Sequence, residues 1–296
     1  MDLPPFDLQS HSRHSDGSLP PREVVRAAAA AGVELLALSD HDTAAGIAEA
    51  EEAAREAGIR LVPAVEISSV DEVGQDLHIL GYLIDPTDAR LRRRLESWRR
   101  DRVRRGQAMV GALHELGFEV DRDALDRRVR AGKPIGRPHV ATAVTAHPAN
   151  AARLAAEGLE DASSFLAAYL IEGRPAFCPR RHPRVAEAVA AIHDTGGVAV
   201  WAHPFWDVED PELVRATISR FSEIGVDGVE CFYPTHSREQ ATLLYEICSE
   251  LDLLTTGSSD FHGPEHRLFS RFRAFQTYGL EPELGPIAAL SRQAGT

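Results

Sequence analysis

Apolar residues fall in short β-branched or leucine-rich runs, each followed by a stretch of helical period. Runs at 6–9, 35–38, 61–67, 77–83, 198–201, 228–232 and 253–256 read as strands. Stretches at 21–31, 44–57, 185–194, 212–224 and 238–250 read as helices. Alternation of this kind argues for a parallel α/β fold, and seven strands suit a barrel better than a short open sheet.

From 86 to 185 the strand rhythm disappears. This region opens with RLRRRLESWRRDRVRR and reads as helices throughout, an inserted helical subdomain dividing a barrel formed by 1–85 and 186–296. The arginines read first as a solvated helix face with Leu91, Leu95, Trp98 and Val103 turned inward. The sharper reading is a surface that attracts phosphates.

Polar residues collect where the apolar runs end. Gln9, His11 and Asp16 follow the first run, in DLQSHSRHSDG, and Asp40, His41 and Asp42 follow the second, in LALSDHDT. Glu66 ends VPAVEIS, His78 lies in DLHILGY, His203 follows VAVWAHP, and Asp260 and His262 close TTGSSDFHG. In a β/α barrel such ends form one rim, where active sites are built. Each residue alone has an ordinary reading: a structural histidine, or Asp40 and Asp42 capping a helix from Thr43, or a turn at SDFHG. Together they would bury several charges without partners, at several kcal/mol each. Metal ions remove that cost.

Composition narrows the chemistry. Three cysteines without a Cys-x-x-Cys pair leave no thiolate site, so ligands must be His, Asp and Glu, which favour Mn, Fe, Zn or Mg. A net charge of −13 argues against broad adhesion to nucleic acid, and no basic track suits duplex nucleic acid. No apolar run spans a membrane, and the N-terminus lacks a secretory pattern, which points to a cytoplasmic protein. Gln9 is a weak corner: a neutral amide oxygen is a poorer ligand than imidazole for Zn or Fe, though acceptable to Mn or Mg.

The motifs DLQSHSRHSDG, LALSDHDTAAG, AVEIS, LHILGY, WAHP and GSSDFHG together resemble the PHP family, named for polymerase and histidinol phosphatase. Within it the chain is similar to stand-alone phosphoesterases that hydrolyse nucleoside 3′,5′-bisphosphates and the 5′ ends of short RNA. The resemblance implies a distorted seven-stranded TIM-like barrel with two or three divalent metal ions, Mn first and Fe, Zn or Mg as alternatives. It implies that His11, Glu66 and Asp260 hold one ion, with Gln9 where the family usually has His. Glu66 would bridge to a second ion held by His78 and His203, and Asp16, His41 and His262 would hold a third.

GRPHVA, 136–141, resembles the insert motif whose Arg and His reach substrate phosphate, which makes Arg137 and His139 substrate ligands. Its ordinary reading is a helix N-terminus at Pro138. The leaving oxygen needs a proton, for which His203 and His139 are the candidates. His236 is expected to line the pocket. The remaining histidines, His266 among them, read as structural or surface residues. The expected activity is a metal-dependent phosphatase of small nucleotides, with the insert acting as a lid. Two other readings stay open: a phosphatase of histidinol phosphate or a sugar phosphate, and a non-catalytic metal- or nucleotide-binding module.

Overall fold

The computed structural model describes residues 3–130, 135–180 and 182–289. The chain forms two compact units, residues 1–95 with 183–296 and residues 96–182.

The first unit is a nearly closed barrel of seven strands in chain order: β1 (Phe6–Asp7), β2 (Leu35–Leu38), β3 (Arg60–Asp71), β4 (Gly74–Tyr82), β5 (Val198–Trp201), β6 (Gly228–Phe232) and β7 (Leu254–Gly257). Hydrogen bonds join the segment after β1 to the end of β7 and the loop beyond it, from Leu8 N–H to Gly257 O at 3.3 Å and from His11 N–H to Phe261 O at 2.8 Å. Helices Pro21–Ala30 and Ile47–Ala57 cover one side. They bury Val24, Val25, Ile47 and Ala50 against Leu36, Leu38 and Phe261, as their helical period requires.

One expectation needs correction. The sheet is not parallel throughout, because β4 runs antiparallel to both β3 and β5. Only two residues separate β3 from β4, and a parallel return needs a crossover of a dozen or more. The hairpin also extends both strands beyond their apolar runs, and it places His78 opposite Ser68, two residues from Glu66. Conversely β1 ends at Asp7, so Gln9 and His11 lie beyond it in irregular backbone.

The second unit is helical. The division falls inside helix Ala89–Glu115, and Arg122–Arg130, Arg137–Thr145, Ala151–Glu157 and Ala162–Tyr169 follow. Leu113, Phe118, Val140, Val144 and Phe165 form a core of its own. Along the arginine-rich stretch Leu91, Leu95 and Trp98 are buried and Val103 half-buried, so the arginines alternate with an inward face. Among the described residues no helix is long and apolar enough to cross a membrane.

Gly81 on β4 lies under helix Val185–His193, where a Cβ would come within 2.7 Å of Ile192 Cγ1. Gly81→Ala is expected to cost about 1–3 kcal/mol by overpacking. In urea unfolding, Ile192→Ala should recover part of that loss in the double variant. Simple additivity of the two costs would refute the contact.

Candidate metal centre

The side chains at the C-terminal ends of the parallel strands are held by a layer of short hydrogen bonds. After β1 the loop folds back so closely that a Cβ on Gly17 would lie 2.2 Å from the His11 carbonyl oxygen, so only glycine fits. Asp40, after β2, grips this loop: its carboxylate accepts from Ser12 N–H, Ser12 O–H and Ser15 O–H, each at 2.7 Å. Asp42 accepts from Ser68 N–H at 3.0 Å, and its own N–H donates to Glu66 O at 2.8 Å. The helix expected from Thr43 begins only at Ile47, so these two aspartates brace loops and do not cap it.

Asp42, His203 and Asp260 all have positive φ, at 53°, 30° and 52°. Such backbone costs about 1–3 kcal/mol at a residue other than glycine and persists where its surroundings enforce it. Each follows a strand end, where the turn directs the next side chains across the barrel mouth.

Glu66 is the hub. Its Oε1 lies 2.8 Å from His78 Nδ1 and 3.3 Å from His203 Nε2. Its Oε2 lies 3.1 Å from His11 Nε2 and 3.2 Å from His41 Nδ1. His11 Nε2 is also 3.1 Å from Asp260 Oδ1. Further out, the Asp16 carboxylate lies 3.5 Å from His41 Nε2 and 3.4 Å from His262 Nε2. His262 Nδ1 donates to Asp260 O at 2.7 Å, which leaves Nε2 as the lone-pair nitrogen. Asp16, His41, Glu66, His78, His203, Asp260 and His262 line one cavity of about 200 Å³, with Trp206, Tyr233, His266 and Phe269 on its wall.

These residues fit divalent ions. His11 Nε2, His41 Nδ1, Glu66 Oε2 and Asp260 Oδ1 are buried and make no hydrogen bond of good geometry, although they converge. Buried polar atoms in that state are expensive. Cations among them would satisfy these atoms, and the mixed nitrogen and oxygen donors suit Mn, Fe or Zn. Among the described residues two groups of donors lie close enough for one ion each: His11, Asp16, His41 and His262, and His41, Glu66 and His78.

Burial opposes charge on Glu66, but His41 and His78, then His11 and His203, hold its carboxyl well below the usual range. Burial likewise pulls down the His203 imidazole, and the Glu66 carboxylate more than reverses this, raising it to about 9. His11 is raised in the same way, with Asp260 and Glu66 outweighing burial.

Gln9 is fully buried, with Oε1 3.4 Å from Ser258 Oγ. His236 is buried behind the wall, 5.4 Å from the Tyr233 ring, and Nδ1–H donates to Cys231 O at 3.0 Å. Arg137 and His139 open a helix in the second unit, where His139 Nδ1 accepts from Gly136 N–H at 3.1 Å.

Sequence reasoning missed the floor and the wall. Glu230 accepts from Ser258 O–H at 2.6 Å and from His203 N–H at 3.0 Å, and burial pushes its carboxyl up to about 8. Tyr233 O–H donates to Asp260 Oδ2 at 2.8 Å. An acid inside the apolar run GVECF was the available signal for Glu230. His266, read as ordinary, belongs to the cavity wall. Its sequence neighbours carried no sign of that.

A barrel rim with a buried carboxylate facing four imidazoles defines a site for divalent metal ions. Residues 7–121 match the family model of the PHP domain. The chain is 35% identical to the 5′-3′ exoribonuclease of Haemophilus influenzae, over 88% of this chain and 90% of that protein. It is 33% identical to the 3′,5′-nucleoside bisphosphate phosphatase of Chromobacterium violaceum, over 88% and 87%. The solved structure of an amidohydrolase from Chromobacterium violaceum, with bound sulfate and no metal, is similar at a TM-score of 0.73. It shares 30% sequence identity and the match covers 90% and 94% of the two chains. The chain belongs to the PHP family and is a metal-dependent phosphoesterase.

Metal uptake has a defined pH dependence. His203 is protonated below its ordinary value of 6.5 and gives up its proton only as pH nears about 9. An incoming ion must displace that proton, so affinity for Mn²⁺ is expected to rise with pH between these values, with proton release. Calorimetry of ion-free protein in buffers of different ionisation enthalpy measures both quantities. Affinity that stays flat across the window would contradict this assignment.

Proposed function

We propose that the protein hydrolyses phosphomonoesters of small nucleotides, chiefly nucleoside 3′,5′-bisphosphates, with the 5′ ends of short RNA as a second substrate class. The observation that carries the proposal is Glu66, whose two oxygens each face two imidazoles. The names of the two relatives point to the same substrates.

In this reading His11, Glu66 and Asp260, with Gln9, would hold one ion, Glu66, His78 and His203 a second, and Asp16, His41 and His262 a third. Mn²⁺ is favoured because it accepts both imidazole and a neutral amide oxygen. Such ions supply Lewis-acid neutralisation of phosphoryl charge and a lowered pKa for water. Glu66 sets the spacing, since one carboxylate faces both donor groups. His203 turns Nε2 to Glu66, while its Nδ1 is buried 3.8 Å from Asp207 Oδ2, so a proton given to the leaving oxygen by His203 would come from Nε2. His139 is the second donor candidate. Arg137 would bind phosphate through its guanidinium fork, and His236 supports the substrate side.

Phosphate release from adenosine 3′,5′-bisphosphate by metal-stripped protein is expected only when Mn²⁺ is returned. Glu66→Ala should lower the rate by about 10³-fold or more, the equivalent of several kcal/mol of transition-state stabilisation. Arg137→Ala should raise KM. AMP binding without release would replace this reading by a binding module. Separately, Gln9→His is expected to raise Mn²⁺ retained after dialysis, measured by elemental analysis. Unchanged retention would remove Gln9 from the ligand set.

A further inference from the structure

The cavity has two chemically different sides. One carries the imidazoles and carboxylates described above, and the other is aromatic, formed by Trp206, Tyr233, His266 and Phe269. Trp206 lies on the short helix Pro204–Asp207 and is 49% exposed. Its backbone N–H donates to His203 O at 2.8 Å, which places the two residues on one turn. Behind it stand Phe269, with ring centroids 5.7 Å apart, and Tyr233 at 6.3 Å and 74°. Tyr233 is itself tied to Asp260 through its hydroxyl.

Single exposed apolar side chains on a surface need no explanation. This one is different in two respects: it shares a cavity with the donor cluster, and buried rings hold it from behind. Whatever enters must satisfy both sides. A phosphate belongs with the cationic centre, and a flat apolar group belongs against the indole. A nucleobase cannot replace the phosphate on the polar side without desolvating it.

We propose that Trp206, backed by Phe269 and Tyr233, is the surface on which the substrate's nucleobase stacks, and that it separates base-bearing nucleotides from sugar phosphates without a base. This rests on the nucleotide reading given above. Because every base has a π-face, stacking confers weak preference among bases. Trp206 is a positioning residue, acting on binding and not on the reacting atoms.

The test is steady-state kinetics of the manganese enzyme on adenosine 3′,5′-bisphosphate and on 1-O-methylribose 3,5-bisphosphate, which lacks the base. Trp206→Ala is expected to raise KM for the nucleotide roughly tenfold or more, with little change in kcat. KM for the baseless compound should stay the same. Trp206→Phe should restore most of the loss, and Trp206→Leu, which keeps apolar bulk without a π-face, should not. Equal losses on both substrates, a loss confined to kcat, or rescue by Leu would overturn the stacking surface while leaving the nucleotide reading intact. A wild-type enzyme that releases phosphate only from the baseless compound, or from neither, overturns both.

Discussion

A buried carboxylate must be compensated, and the barrel end is organised around that requirement at Glu66. Four imidazoles surround it, contributed by the loops after β1, β2 and β5 and by β4 itself. No two of those segments are close in the chain, so the cluster exists only when the barrel closes. The antiparallel β4 is part of the same solution. Its hairpin with β3 brings His78 beside Glu66 within one ladder, a placement a parallel strand could not reach with so short a connection.

Around the cluster, hydrogen bonds fix what charge alone would leave loose. Asp40 holds the loop that carries His11 and Asp16, and Asp42 pins β3 at Glu66. Three residues with positive φ turn the chain sharply at strand ends, and the stability this consumes is returned as fixed donor positions. Below lie Glu230 and Asp7, whose carboxyls burial raises to about 8 and about 7.

The periodicity of apolar residues made the barrel legible because strand and helix burial impose different spacings. The helices at 21, 185, 211 and 238 were readable within a residue or two, as was the absence of strands among the described residues between 86 and 185. The convergence of His, Asp and Glu on one cavity was legible too, because these residues recur where apolar runs end. What escaped was the direction of β4, since an apolar run carries no sign of the neighbour it pairs with. Glu230 escaped because one acid in an apolar run has several local explanations.

From residue types and their spacing came the donor chemistry and the strand count, since these follow from which atoms are available and how often apolar side chains recur, whereas the class of reaction came through the resemblance of the motifs to the PHP family. Only the folded chain decided which donors share an atom, as with the two oxygens of Glu66, and which side chains stay apart. It moved Asp40 and Asp42 from helix caps to loop braces, set His236 behind the wall and brought His266 and Trp206 onto it. The reason is physical: identity and period are local properties, whereas a distance between residues 66 and 203, or 206 and 269, exists only after the strands have closed the barrel.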